Sequence, residues 1–317
     1  MIELPLVSVM CPTYNAEAYI ASAMRSVLSQ SYAHVQLVIS DDASKDDTVK
    51  IVRTVAAEFP HRQVIVNVNE ANLGITANCN VALNLCAGEY VCLFAGDDLF
   101  YPGKIAAQIE HFLQHPNAAI SYHGIDIIDE NDNKVATWND TSNKYRVAED
   151  VICNGGLPYV GSVMIKRSFI PAWGYDPALP NVSDWLFLIE VAIRGNLVRL
   201  DGIYAGYRRH SAGASRKTMQ FMAESLQTLE IVRVRYSDPR LDKACLHAKR
   251  RYLLGEIARS TMTGNAIQLR RLKTEFLQDD FPLKIVCGIG ALASGLHLHK
   301  VKLLRWIFRY AEMRVKS

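Results

Sequence analysis

Apolar and polar residues fall in blocks over the first third of the chain. Residues 6–11, 35–40, 63–68 and 90–95 are short, largely apolar runs bounded by turn-forming or acidic residues, and such runs read as strands. Between them the spacing turns helical. Residues 17–30 put Ile20, Met24, Val27 and Leu28 on one face. A second helix opens near Ser44, read as its N-cap, with Asp46 and Asp47 at the positive dipole end and Ile51, Val55 and Phe59 inside. Pro60 stops it. Asn72-Leu73-Gly74 is a turn, residues 76–86 a third helix, and Pro102 the first turn of a fourth. The order βαβαβαβ predicts an α/β fold on a mixed, mostly parallel sheet flanked by helices, with right-handed crossovers.

Beyond residue 118 the texture changes. Strands over 119–128 and 135–137 flank the turn Asp129-Glu130-Asn131-Asp132-Asn133, a hairpin signal. Residues 138–149 read as loop, 160–166 as a strand, 183–194 as a helix closed by Gly195, and 199–207 as a last strand. A Gly-, Ser- and Arg/Lys-bearing loop, 209–217, suits closure over phosphates. After it only helical spacing remains, over 221–236 and 244–262. The expected organisation is an α/β domain, 1–217, and an α-helical C-terminal extension, 218–317, packed on it.

With 317 residues, 50% hydrophobic and 21% charged, the chain is globular, and a net charge of +3 implies no nucleic-acid partner. The charge is unevenly placed: from Phe281 onward seven Lys and Arg stand against Glu312 alone. Residues 285–298 are apolar but too short to span a bilayer. In the stretch that follows, Val301, Leu304, Ile307 and Phe308 can face away from Lys302, Arg305 and Arg309. That pattern fits either an interfacial helix on a membrane surface or a helix packed on its own protein. Seven cysteines without CxxC spacing, and an N-terminus without a signal-peptide pattern, point to a reducing, cytoplasmic setting. The expected location is cytoplasmic, peripheral at the inner face of the cytoplasmic membrane.

The candidate chemistry lies at the strand ends. Asp97-Asp98 follows the run 90–95, Asp41-Asp42 follows 35–40, and Pro12-Thr13-Tyr14-Asn15 follows 6–11. Parallel neighbours would bring these ends to one crevice, where open α/β sheets bind ligands. Adjacent carboxylates there call for a counter-ion, and a divalent metal carrying a diphosphate supplies one; a solvated acidic turn is the alternative.

With those motifs assembled, the chain resembles the inverting family 2 glycosyltransferases of the GT-A fold. The resemblance rests on Val7 to Asn15, Ser40-Asp41-Asp42-Ala43-Ser44, Asn72-Leu73-Gly74, Ala95-Gly96-Asp97-Asp98, Ser183-Asp184-Trp185 and Arg208-Arg209-His210. It implies a UDP-sugar donor lined by Pro12, Thr13, Tyr14, Asn15, Asn72 and Gly74, with Asp42 on the uracil N3–H. It further implies Asp97 on ribose or sugar hydroxyls, Asp98 and His210 on Mn2+ or Mg2+, Arg209 near the diphosphate, and Asp184 as catalytic base. The acceptor it implies is a saccharide or a lipid-linked oligosaccharide. Trp173 and Trp185 are expected in the core or as an acceptor platform, and Gly161-Ser162 near the acceptor pocket. One departure stands out: the base usually follows an acidic residue, and here follows Ser183, read as a helix N-cap. Two rivals remain, a non-catalytic membrane-associated scaffold and a sugar nucleotidyltransferase; the latter would need a Gly-rich, cationic loop after the first strand, which is missing.

Overall fold

A computed structural model of the chain describes residues 4–157, 159–210 and 218–275, with Cys287 and Ile289. The elements are β1 (Val7–Thr13), α1 (Ile20–Leu28), β2 (Val35–Asp41), α2 (Thr48–Glu58), β3 (Gln63–Val68), α3 (Ile75–Leu85), β4 (Tyr90–Leu93) and β5 (Leu99–Phe100). Then come α4 (Lys104–Gln114), β6 (Ala118–Ile128), β7 (Lys134–Trp138), α5 (Ala148–Cys153), β8 (Met164–Lys166), α6 (Ser183–Arg194) and β9 (Asn196–Arg208). Helices α7 (Thr218–Tyr236), α8 (Pro239–Met262) and α9 (Ala266–Glu275) follow.

One mixed sheet runs β3-β2-β1-β4-β8-β6-β9-β5, with β7 paired to β6. Its β3-β2-β1-β4 part is parallel, β8 joins antiparallel between β4 and β6, and β9 lies parallel to β6. Because β1 and β2 are interior strands, their side chains are covered on both faces, which is why they read as continuous apolar runs. Helix α1 buries the face expected of it, Ile20, Met24, Val27 and Leu28, in a core shared with Val9, Leu37 and Phe94. The chain leaves β3 on one side of β1 and returns as β4 on the other. The loops after β1 and β4 therefore diverge and open a crevice at the strands' C-terminal ends.

Several local expectations shift. Ser44 is no N-cap: α2 starts at Thr48, and the Ser44 hydroxyl instead donates to Asp41 Oδ2 (2.5 Å). Residues Val160–Ser162 form a 3-10 turn, so the strand expected over 160–166 shrinks to β8. The short helix α5 begins at the end of the region read as loop, and β9 extends three residues earlier than expected. Ser183 is the first residue of α6 rather than its cap.

The chain separates into two compact units, Met1–Val232 and Arg233–Ser317, so the division falls within α7 rather than at 217/218. Among the described residues no helix is long and apolar enough to cross a membrane. Most of the 209–217 loop and of the apolar and amphipathic stretches beyond residue 284 lies outside the described residues.

Candidate active site

The loops after β1 and β2 are built against each other. Asn15 and Ala43 both have left-handed backbones (φ +49° and +59°), costing on the order of 1 kcal/mol each for a residue other than glycine. Asparagine tolerates that conformation, and here its amide oxygen accepts Lys45 N–H (2.9 Å) while its own N–H donates to Ser44 Oγ (2.8 Å). Asp41 holds the β2 loop by accepting Ser44 N–H (2.9 Å).

Asp42 points the other way. Its Oδ1 accepts Leu73 N–H (2.8 Å) and Asn69 Nδ2 (3.0 Å), and its Oδ2 accepts Gly74 N–H (2.9 Å). Asn72 donates to the Asp42 carbonyl (3.2 Å), so the predicted Asp42, Asn72 and Gly74 do meet. Gly74 has φ +88° and ψ 167°, a region essentially closed to side chains, and α3 starts directly after it. Tyr14 is half-exposed at the rim, and Pro12 is partly covered. Thr13 is buried with its hydroxyl unpartnered among the described residues; it sits so close to Gly96 that a Cβ there would lie 3.0 Å from Thr13 Oγ1.

The acidic pair after β4 divides its work. Asp98 is buried, accepts the Tyr159 hydroxyl on Oδ2 and accepts Arg208 N–H on Oδ1 (2.8 Å). Burial, with Asp97 adding repulsion, pushes its pKa up to about 8. Asp97 is the accessible member, and its Oδ2 lies 2.9 Å from His210 Nε2. The residue beside the histidine is Asp97, while Asp98, expected to hold the metal, is engaged by Tyr159 and Arg208.

Arg208 joins the pieces. Its Nε donates to the Asp97 carbonyl (2.7 Å), its Nη1 reaches Asp129 O (3.0 Å) and Asp132 Oδ1 (2.5 Å) in the β6–β7 turn, and its guanidinium covers the Tyr19 ring (4.7 Å). Tyr19 in turn packs on His210 (4.8 Å between rings). Arg209 lies over Tyr207 (6.0 Å), and its N–H donates to Ile128 O.

Asp184 stands in the first turn of α6. Its Oδ1 accepts the Trp185 N–H (2.9 Å). Burial raises its pKa, opposed by hydrogen bonds from the Trp185 N–H and its own N–H. Two links tie it to the crevice. The buried Cys79 thiol of α3 is pushed up to about 12 by burial, then by the nearby Asp184 and Asp42 carboxylates. Trp185 packs on Gly156 (3.3 Å to a Cβ there), three residues before the Tyr159 that holds Asp98. Trp185 is buried and Trp173 half-exposed; Ser162 is buried, its hydroxyl on Tyr159 O.

The family model described as Glycosyl transferase family 2 matches residues 8–170. The chain belongs to that family, and it is a glycosyltransferase. Its fold is of the GT-A kind. The crystal structure of S. aureus TarS 1-349 in complex with UDP-GlcNAc superposes over 98% of this chain and 89% of that one, with TM-score 0.60 and 16% identity. The mannosyltransferase PcManGT from Pyrobaculum calidifontis, in complex with GDP-Man and Mn2+, matches over 99% and 88%, with TM-score 0.57 and 17% identity. In sequence, the UDP-Glc:alpha-D-GlcNAc-diphosphoundecaprenol beta-1,3-glucosyltransferase WfgD of Escherichia coli is 33% identical over 126 residues, 40% of this chain and 48% of that protein.

A divalent cation fits the transferase's donor set. A carboxylate oxygen and an imidazole nitrogen face each other at Asp97 and His210, and the neighbouring Asp98 carboxyl is pushed up by burial first and by Asp97 second, a charge imbalance that a cation would relieve. Among the described residues no three His, Cys, Asp or Glu cluster as a metal cage. The residues that the motifs did not single out are Tyr19 and Tyr159. Each is far in sequence from what it touches, and neither lies in a motif.

Proposed function

We propose that this transferase moves a hexose or N-acetylhexosamine from a UDP-sugar to a saccharide hydroxyl with inversion at the anomeric carbon. The observation that carries the reading is the placement of Asp184: its carboxylate stands in the first turn of α6, with Oδ1 accepting the Trp185 amide, where it can receive the proton of an acceptor hydroxyl. In the step, the acceptor oxygen bonds to the anomeric carbon as the bond from that carbon to UDP breaks. The hydroxyl proton passes to Asp184, and UDP leaves with the bonding electron pair. A single protein carboxylate suffices when the leaving group is a diphosphate, unlike the carboxylate pair of a glycosidase.

Asp97 and His210 would hold Mn2+ or Mg2+, which supplies charge neutralisation for the departing diphosphate. Asp98, Tyr159 and Arg208 keep the Asp97 backbone and the His210 end of β9 in place. Asp42, with Oδ2 accepting only one protein N–H, has a lone pair for the uracil N3–H, and Tyr14 offers an exposed ring beside it. The bound UDP-GlcNAc of the TarS complex and the UDP-glucose named for WfgD support UDP as the nucleotide. The Mn2+ of the PcManGT complex supports the ion.

A lipid-linked acceptor at a membrane surface is the companion proposal. Residues 233–317 contain 18 Lys and Arg against 7 Asp and Glu, a formal +11, while residues 1–232 carry −8. Such a basic unit suits an anionic bilayer face, and the diphosphoundecaprenol acceptor in the WfgD name supports the same placement. The test of the function is a donor screen following UDP release from UDP-hexoses and UDP-N-acetylhexosamines with Mn2+, the parent against Asp184→Asn. Release by the parent alone is expected; near-normal release by Asp184→Asn would reject the base.

A further inference from the structure

Helix α6 carries Asp184 in its first turn but has no capping side chain of its own. The residue before it is Val182, and the hydroxyl of Ser183, its first residue, is spent on Thr76 (2.6 Å between oxygens). The chain approaching α6 is instead gripped from both sides. From α3, Thr76 Oγ1 also donates to Leu179 O (2.5 Å), and Thr76 N–H reaches Pro180 O (3.4 Å). From α7, the buried Glu224 carboxylate accepts three hydrogen bonds: Asn181 N–H (2.8 Å), Asn181 Nδ2 (2.6 Å) and Val182 N–H (2.9 Å). One turn further along α7, Gln227 Nε2 donates to Ala178 O (3.3 Å).

Removing one partner of such a buried bond leaves the other unsatisfied. The clamp acts two residues before Asp184, and the peptide planes of Asn181 and Val182 set the direction in which α6 starts. Thr76 sits two residues after Gly74, whose amide Asp42 holds, so the opposing jaw is the first turn of α3, directly after that turn.

We propose that Glu224 is a positioning residue for sugar transfer, holding the start of α6 so that the Asp184 carboxylate faces the acceptor hydroxyl. The inference rests on Asp184 being the base. It brings α7, beyond the 8–170 span of the family match, into the catalytic apparatus. The carboxylate missing at Ser183, where relatives are expected to have one, is thereby supplied near the same helix start by a residue 41 positions later.

The test compares the full-length parent, Glu224→Ala, Glu224→Gln and Asp184→Asn, using UDP binding by calorimetry and turnover of the UDP-sugar that the donor screen returns. Glu224→Ala should lower kcat about ten- to a hundredfold while donor KM and UDP Kd stay within about twofold, the signature of a displaced base. Glu224→Gln keeps an acceptor oxygen for the two backbone amides and should recover kcat to within about threefold of the parent. An unchanged kcat in Glu224→Ala, or a parallel loss of kcat, KM and UDP affinity, would overturn the proposal. If Glu224→Ala does not fold, Asn181→Ala removes one arm of the clamp and should lower kcat with UDP affinity intact; unchanged kcat there overturns the proposal as well. Inert Asp184→Asn beside fully active Glu224→Ala rejects the clamp alone, whereas active Asp184→Asn rejects the base and the clamp with it.

Discussion

His210 Nε2 lies 2.9 Å from Asp97 Oδ2, although 113 residues of chain separate the two. The contact joins the end of β9 to the loop after β4, and Asp97 is the more exposed carboxylate of the acidic pair.

The two acidic neighbours should therefore fail differently. Asp97→Ala and His210→Ala are expected to lose Mn2+-dependent UDP binding and to keep a near-parental melting temperature. Asp98→Ala strands the Tyr159 hydroxyl and the Arg208 amide and should cost about 1–3 kcal/mol of stability. Calorimetric UDP titrations with Mn2+ and with EDTA, beside thermal melts, check the split. If Asp98→Ala keeps its stability but loses the metal response while Asp97→Ala retains both, the ligand is Asp98.

The proposed base Asp184 is also a destabilising group. Burial raises its folded pKa above that of the unfolded chain, so over the interval between the two values the native state binds the extra proton. Stability from this group is thus present at low pH and is lost as pH rises through the folded value. At neutral pH the ionised carboxylate is a burden, and Asp184→Asn should melt higher while transfer falls by about two to four orders of magnitude. A lower melting temperature for Asp184→Asn would contradict the burial.

The same shift places the acidic limb of activity. A base must be ionised, so kcat/KM should fall as pH drops through a value above the ordinary carboxylate range. A pH–rate profile still flat at pH 4 would contradict the assignment of that limb to Asp184.

Gly74→Ala isolates backbone strain from crowding. A Cβ at Gly74 would meet nothing within 4 Å, yet φ +88° with ψ 167° costs an L-residue about 1–3 kcal/mol. The variant should melt lower and bind UDP more weakly, because relaxing the strain turns the Gly74 amide away from Asp42. Parental UDP affinity would separate this turn from the nucleotide site.

The basic unit makes a salt-dependent prediction. Full-length protein should co-sediment with vesicles containing anionic lipid, less so as ionic strength rises, and deletion of residues 284–317 should weaken the association. Unaltered sedimentation of the truncated chain would remove the tail from the proposal.

Much of this was legible in the residues themselves. The block pattern of apolar runs specified β1 to β4 and the helices between them, because interior parallel strands must be apolar on both faces. The motif spacing also pointed to Asp42, Asp97, Asp98, Asp184 and His210 as members of one site. Ser44 and Ser183 misled for a common reason. A serine before a helical stretch has the chemistry of a cap, but another partner, Asp41 in one case and Thr76 in the other, took the hydroxyl first. What only the tertiary structure decided was the division of labour among charged groups: which carboxylate of Asp97-Asp98 is open, and which helix closes the start of α6. Sequence pattern reports whether a residue is buried and how its local backbone runs. It carries no record of hydrogen-bond partners 43 or 113 positions apart, and those partners set the direction and exposure of the side chains they join.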